Sequence, residues 1–209
     1  MCITKYPSYT ELDLLAAVQS VLMLLIIICF GAEQHWKGPP APRQVELLIQ
    51  AWDIKHKLAA TGLFLPEESN NSLPSWTKWA IVSSKRRTIL AMHHVEWSWS
   101  VCHGYPILTC FELAPFPAPA AKYLWQATNE EKWKERYVEW LHLWKGGSYK
   151  VGEFFHIPTE GNLDDRSERW LAEADEFGMM LMAEGKIRPL LHVLPNCQLT
   201  RVVNSIGNL

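Results

Sequence analysis

A chain of 209 residues that is 48% hydrophobic and 20% charged is long enough to bury a core and too apolar for a disordered tail. Its formal charge of −2 leaves no electrostatic case for nucleic-acid binding by this chain alone, because phosphate neutralisation needs a clustered Lys/Arg excess. Eleven tryptophans belong mainly in helix–helix seams, with a few at a partner surface. Cys2, Cys29, Cys102, Cys110 and Cys197 are scattered without CxxC or finger spacing, which speaks against a zinc site and for free thiols in a reducing compartment.

Leu14 to Ala32 carries no charge and is long enough to cross a membrane. Gln19 and Ser20 interrupt it, Glu11 and Asp13 precede it, and flanking Lys/Arg is sparse. Lys5 alone is a poor basic region for a signal peptide. The expectation is a central apolar helix over 14–32, with a membrane or signal segment as the alternative. The Gly38 to Pro42 run breaks it as a loop.

Val45, Leu48, Ile49, Trp52, Ala59 and Leu63 then fall on one helical stripe, which predicts a helix from about Arg43 to Ala60 with Gly62 as its stop. Residues 65–74 read as a polar loop, and Asn70-Asn71-Ser72 within it is a glycosylation sequon of the sort that also arises by chance.

Ser75 is a fitting N-cap for an arginine-bearing helix over 75–103. Lys85, Arg86 and Arg87 lie in its middle and could contact nucleic acid or an acidic partner, but in an acidic chain they read rather as a solvated face or as arginines paired with carboxylates at the core edge, bracing helix packing. His93 and His94 point about 100° apart on a helix and so do not readily share a metal. Cys102-His103 lacks the glycine-flanked elbow of a nucleophile, and Gly104 with Tyr105-Pro106 ends the helix.

Pro115, Pro117 and Pro119 make an extended run whose spacing suits a packed inter-helix loop better than a PxxP ligand. Thr128 to Glu131 has capping-box form and opens an amphipathic helix over 129–145, with Trp133, Tyr137, Trp140 and Trp144 as a core stripe ended by Gly146-Gly147. Residues 150–163 are irregular. Asp165 to Glu168 is a second capping box for a helix over 165–184 that buries Trp170, Leu171, Ala174, Phe177 and Leu181 and stops at Gly185 and Pro189. The fold class is therefore all-α, a multi-helix globular domain spanning 1–209 with long proline-rich loops.

Beyond these local readings, the segment from Ser83 to Ala127 resembles the C-terminal regulatory region, or middle-homology domain, of fungal zinc-finger transcription factors. The likeness rests on Arg86-Arg87-Thr88, His103-Gly104-Tyr105-Pro106, Cys110, Glu112-Leu113, the run Pro115 to Pro119, and Leu124-Trp125. The Trp133, Tyr137, Trp140 spacing and the run Ala174 to Gly178 look like members whose upstream fingers are of the C2H2 kind, so the resemblance extends from Leu14 to about Leu181.

The resemblance implies an all-α regulatory domain, a nuclear location and control of RNA polymerase II transcription, often of a metabolic or secondary-metabolite gene cluster. It implies contact of Arg86, Arg87, Thr88, His103, Gly104, Tyr105, Pro106 and Trp125 with the fold or with a partner, a co-regulator protein or small-molecule effector. A homodimer is compatible with it. It implies no cofactor except zinc in an upstream finger module. The 209 residues hold no C2H2 finger, six-cysteine cluster or heptad zipper, so DNA is expected only indirectly or through that module. The chain would then be a fragment, a truncated gene model or a stand-alone remnant. Two rival expectations stand beside this one: a helical protein anchored in a membrane through 14–32, and a small secondary-metabolism enzyme using Cys102 or His103. No catalytic or metal site is expected.

Overall fold

The computed structural model describes residues 9–31, 42–103, 113–158 and 161–191. The described residues form eight α-helices and one 3-10 helix, with no strand among them, so the fold is all-α. Contacts divide the chain into two compact units, Met1–Leu65 with Thr77–His103, and Pro66–Trp76 with Gly104–Leu209. The sequence had suggested one domain over 1–209.

In the first unit, α1 spans Glu11–Phe30. Thr10 and Asp13 form a reciprocal cap: the threonine hydroxyl accepts from the Asp13 amide at 3.2 Å, and the Asp13 carboxylate accepts from the Thr10 amide at 3.1 Å. The helix thus starts earlier than the apolar run suggested. Helix α2, Pro42–Ala60, opens on a proline at a position where the missing N–H costs nothing. Gly62, at φ +97°, ends it as expected, in a region that favours glycine. Helix α4 is the 28-residue Trp76–His103; the single turn α3, Pro66–Ser69, inside the segment read as a loop, belongs to the second unit.

Two expectations fail here for one reason. Helix α1 is not the central, all-round buried helix: it buries Leu14, Leu15, Val18, Leu25 and Cys29, while Met23 and Ile27 are 63% and 64% exposed. On α2 the buried face is Ala51, Ile54, Lys55 and Leu58, while Ile49 and Trp52 of the expected stripe are exposed. The helix covered on most of its sides is α4, which buries Lys85, Arg86, His93 and Glu96 among its apolar residues. Hydropathy ranks side chains by transfer cost. It cannot see that a charge already paired with a neighbouring helix is cheaper to bury than its type suggests.

In the second unit, α5 is the turn Lys122–Trp125 and α6 runs Glu130–Leu143. Its N-cap is Asn129, whose side chain accepts from the Lys132 amide at 2.9 Å, rather than Thr128. A 3-10 helix, Val151–His156, occupies part of the stretch read as irregular. Helix α7, Asp165–Glu173, is capped by Asp164, which accepts from the amides of Arg166 and Ser167, one residue before the expected cap. The Ser167 hydroxyl, which donates to Asp164 Oδ2 at 2.6 Å, and those amides hold the Asp164 carboxyl below its ordinary value.

The predicted single helix over 165–184 is two helices. Ala174 turns extended, and α8, Glu176–Leu191, begins afresh with the Gly178 amide donating to Asp175 Oδ1 at 2.9 Å. The apolar spacing runs straight across this break, so periodicity alone could not place it. Helix α8 also continues past Gly185 and Pro189, since a proline can forfeit one helical bond without ending the helix.

Gly178 sits against the indole of Trp170: a Cβ there would lie 3.1 Å from one ring carbon and 3.3 Å from another. Trp170 is buried and hydrogen-bonded through its Nε1–H to the Pro119 carbonyl, so it has little room to move. Gly178→Val is expected to cost about 1–3 kcal/mol by overpacking, read as a lower midpoint in urea unfolding.

Candidate functional site

The residues singled out by motif fall in both units. In the first, Arg86, Arg87 and Thr88 are consecutive on α4, and the polar seam around them is built from three helices. Lys85 is 1% exposed. Its ammonium donates to the Glu11 carboxylate at the start of α1 and to Thr61 Oγ1 at 3.1 Å and the Thr61 carbonyl at 3.3 Å, just past α2. One buried cation therefore fastens the ends of α1 and α2 to the middle of α4. Thr88 donates to the Ser84 carbonyl at 2.9 Å and accepts from Gln19 of α1 at 3.4 Å. Arg86 is buried and reaches Ser83 Oγ at 3.3 Å, and Arg87 is half-buried.

A second charged tie lies further along. Lys55 of α2 donates to both oxygens of Glu96 on α4, at 2.9 and 2.6 Å, and both side chains are buried. Sequence reasoning missed Lys55, Glu96 and the role of Glu11. The available signal was a charged residue lying between the buried positions of an amphipathic helix, Lys55 between Ala51 and Leu58.

The solvated-face reading of the basic triplet is thus wrong for Lys85 and Arg86, and its alternative of cations braced by carboxylates holds for Lys85. His103, the last residue of α4, stacks on Trp99 with ring centroids 4.6 Å apart, and its Nδ1 meets the Trp99 carbonyl at 2.8 Å. That nitrogen is engaged with its own helix rather than with the exposed Cys102. His94 stacks on Trp97, and His93 is buried. The Cys29 thiol is pushed up to about 11 by burial, which keeps it protonated and unreactive at neutral pH. Among the described residues, no group of three His, Cys, Asp or Glu is placed to hold a metal. Gly104, Tyr105, Pro106, Cys110 and Glu112 lie outside the described residues.

In the second unit, the proline run is a packed loop, as its spacing suggested. Phe116 to Pro119 are buried. The Ala118 amide donates to the Tyr149 carbonyl at 2.7 Å, and the amides of Val151 and Gly152 donate to Phe116 and Ala114 at 2.9 and 3.0 Å. These bonds consume the backbone groups that a groove-binding proline ligand would leave free. Trp125 closes α5 half-buried. Arg136 of α6 donates to the Tyr123 carbonyl on that same turn.

Behind the loop lies an aromatic core. Trp133, Tyr137, Trp140 and Trp144 follow one another at 4.8, 5.3 and 6.3 Å, and Tyr149, Phe154 and Trp170 continue the cluster. Arg166 and Arg169 lie over the Trp144 ring at 5.2 and 5.8 Å, and Arg166 pairs with Glu153 at 3.1 Å. The Trp144 indole donates to Glu173 at 3.0 Å. Burial pushes the Glu173 carboxyl above its ordinary value, partly opposed by that bond. Burial and the charges of Glu173 and Glu139 likewise push the Tyr123 phenol up. Each cation named here already has a carboxylate, carbonyl or ring partner, so the cluster is built as architecture. Comparison with protein-family models, with curated proteins and with solved structures finds no match to this chain.

Proposed function

We propose that this chain is a helical regulatory domain of the fungal zinc-finger transcription-factor kind, which acts in the nucleus on RNA polymerase II transcription through a bound co-regulator or small effector. It would reach DNA only through a separate reading module, and its targets would include a metabolic gene cluster. The observation that carries this reading is the fate of the motif residues. Lys85 and Thr88 are buried and tied to neighbouring helices, Arg86 is buried on α4, and Phe116 to Pro119 are packed and bonded to the Tyr149–Gly152 backbone, which supports reading the motif residues as parts of a scaffold. The charge of −2 and the burial of Lys85 and Arg86 leave the middle of α4 without a solvated basic cluster for phosphates.

Fusion of residues 1–209 to an unrelated DNA-binding domain should change reporter transcription several-fold, and the purified chain should not bind duplex DNA at micromolar concentration in about 0.15 M salt. An inert, nucleus-excluded fusion would sink the reading, and so would micromolar DNA affinity with a steep salt slope.

One observation favours a membrane-anchored protein instead: α1 has a mean hydropathy of 2.5 over an 18-residue window that is 28% buried. The exposed Asn70 then gains meaning as a glycan acceptor. A tagged chain that resists extraction without detergent and is glycosylated at Asn70 would establish the anchor. Release into plain buffer would remove it.

A further inference from the structure

On the side of α1 away from its buried residues, Leu12, Ala16, Ser20, Met23, Ile27 and Phe30 recur three or four residues apart, and all are exposed. Leu24 and Ile26 widen this stripe. No residue of α1 after Asp13 is charged, and the Ser20 hydroxyl donates to the Ala16 carbonyl at 2.9 Å, so the face presents no unmet donor. From their fractional exposures the six large apolar side chains leave on the order of 600 Å² open, at the upper end of what a soluble monomer shows. Two such faces together would bury about 1,200 Å², enough for a specific interface of the smaller standard size.

We propose that this face is the seam of a twofold dimer in which α1 packs antiparallel on α1 of a second copy. The stripe is graded in size: Ala16 and Ser20 are small, Met23, Ile27 and Phe30 large. Antiparallel pairing about a centre near Val21 sets Ser20 across from Met23 and Ala16 across from Ile27, so small meets large through the middle of the seam, with Leu12 against Phe30 at its two ends. Parallel pairing would set small on small and leave a gap. The antiparallel order also opposes the helix dipoles and puts the acidic first turns of the two copies at opposite ends, about 30 Å apart.

A lipid occupant fits less well. Helix α1 carries no Lys or Arg to meet anionic headgroups, its first turn is acidic, and withdrawal into a bilayer would break the Glu11–Lys85 and Gln19–Thr88 ties. The proposal does not depend on the regulatory role above.

Sedimentation equilibrium of the full chain in reducing buffer tests it. The expected mass is that of a dimer in the micromolar range. Met23→Lys and Ile27→Lys should each sediment as monomers with unchanged helical circular dichroism, and Val138→Lys, at an exposed apolar position on α6, should stay dimeric. Ala16→Phe reports the order of the helices: it should weaken the dimer about tenfold by colliding with Ile27 across the seam, and a tighter dimer would overturn the antiparallel arrangement. A monomeric wild type, a dimer that survives both lysine substitutions, or flotation of the chain as monomer with phosphatidylcholine vesicles would overturn the dimer.

Discussion

Glu96→Ala is expected to cost about 3–5 kcal/mol, the largest loss from any single polar change in the first unit. Both oxygens of Glu96 are bound to the Lys55 ammonium, and both side chains are buried. Truncation leaves that ammonium buried with its carboxylate gone. The opposite result is expected when both charges go: Lys55→Met with Glu96→Leu should restore most of the loss or exceed the wild type, because the desolvation of two ions disappears with their attraction. Urea unfolding followed by circular dichroism separates the two cases, with a low midpoint for the single variant and a wild-type or higher one for the pair. Equal losses in both would mean that the site tolerates no apolar packing and that the pair holds more than its own charge.

Trp144→Ala should be about as damaging, at about 3–5 kcal/mol, but in the second unit. The ring is nearly fully buried, holds two guanidinium groups over its face and donates to Glu173, so truncation removes packing, two cation–π contacts and a hydrogen bond together. Trp144→Phe keeps an aromatic face and isolates the hydrogen bond, and its effect should depend on pH.

The sign follows from the carboxyl. The folded-state value of Glu173 is raised above its ordinary 4.5, so below 4.5 the group is protonated in both states and costs nothing. As pH climbs through the raised folded value, the native state must hold a half-buried charge, and stability falls. The indole donor opposes that rise, so its removal deepens the penalty. The deficit of Trp144→Phe against wild type should therefore grow from acid toward neutral pH and then level off, as thermal or urea midpoints at several pH values would show. A deficit that shrinks toward neutral pH would rule out this account of the bond.

Much of the architecture is legible in the residues because helix formation depends on neighbours in sequence. The start of α2 at Pro42 and its stop at Gly62 follow from a proline and a glycine that act within one turn. The aromatic stripe of α6 is local in the same sense, and its rings do line the core of their unit. The proline loop was readable too, since alternate prolines deny both helix and central strand, although its partners at Tyr149 and Val151 were not.

What the sequence by itself determined, then, is an all-α chain with the bounds of α2, α4 and α6 placed to within a residue or two. Only the tertiary structure decided which helices are covered. The most apolar helix keeps one face open, and the helix carrying Lys85, Arg86 and Glu96 is buried, because each of those charges found its partner at a distance the sequence cannot measure. The break between α7 and α8 was hidden for the same reason. It depends on Gly178 meeting the Trp170 ring and on one aspartate turning to cap a new helix, contacts that an unbroken apolar period does not record.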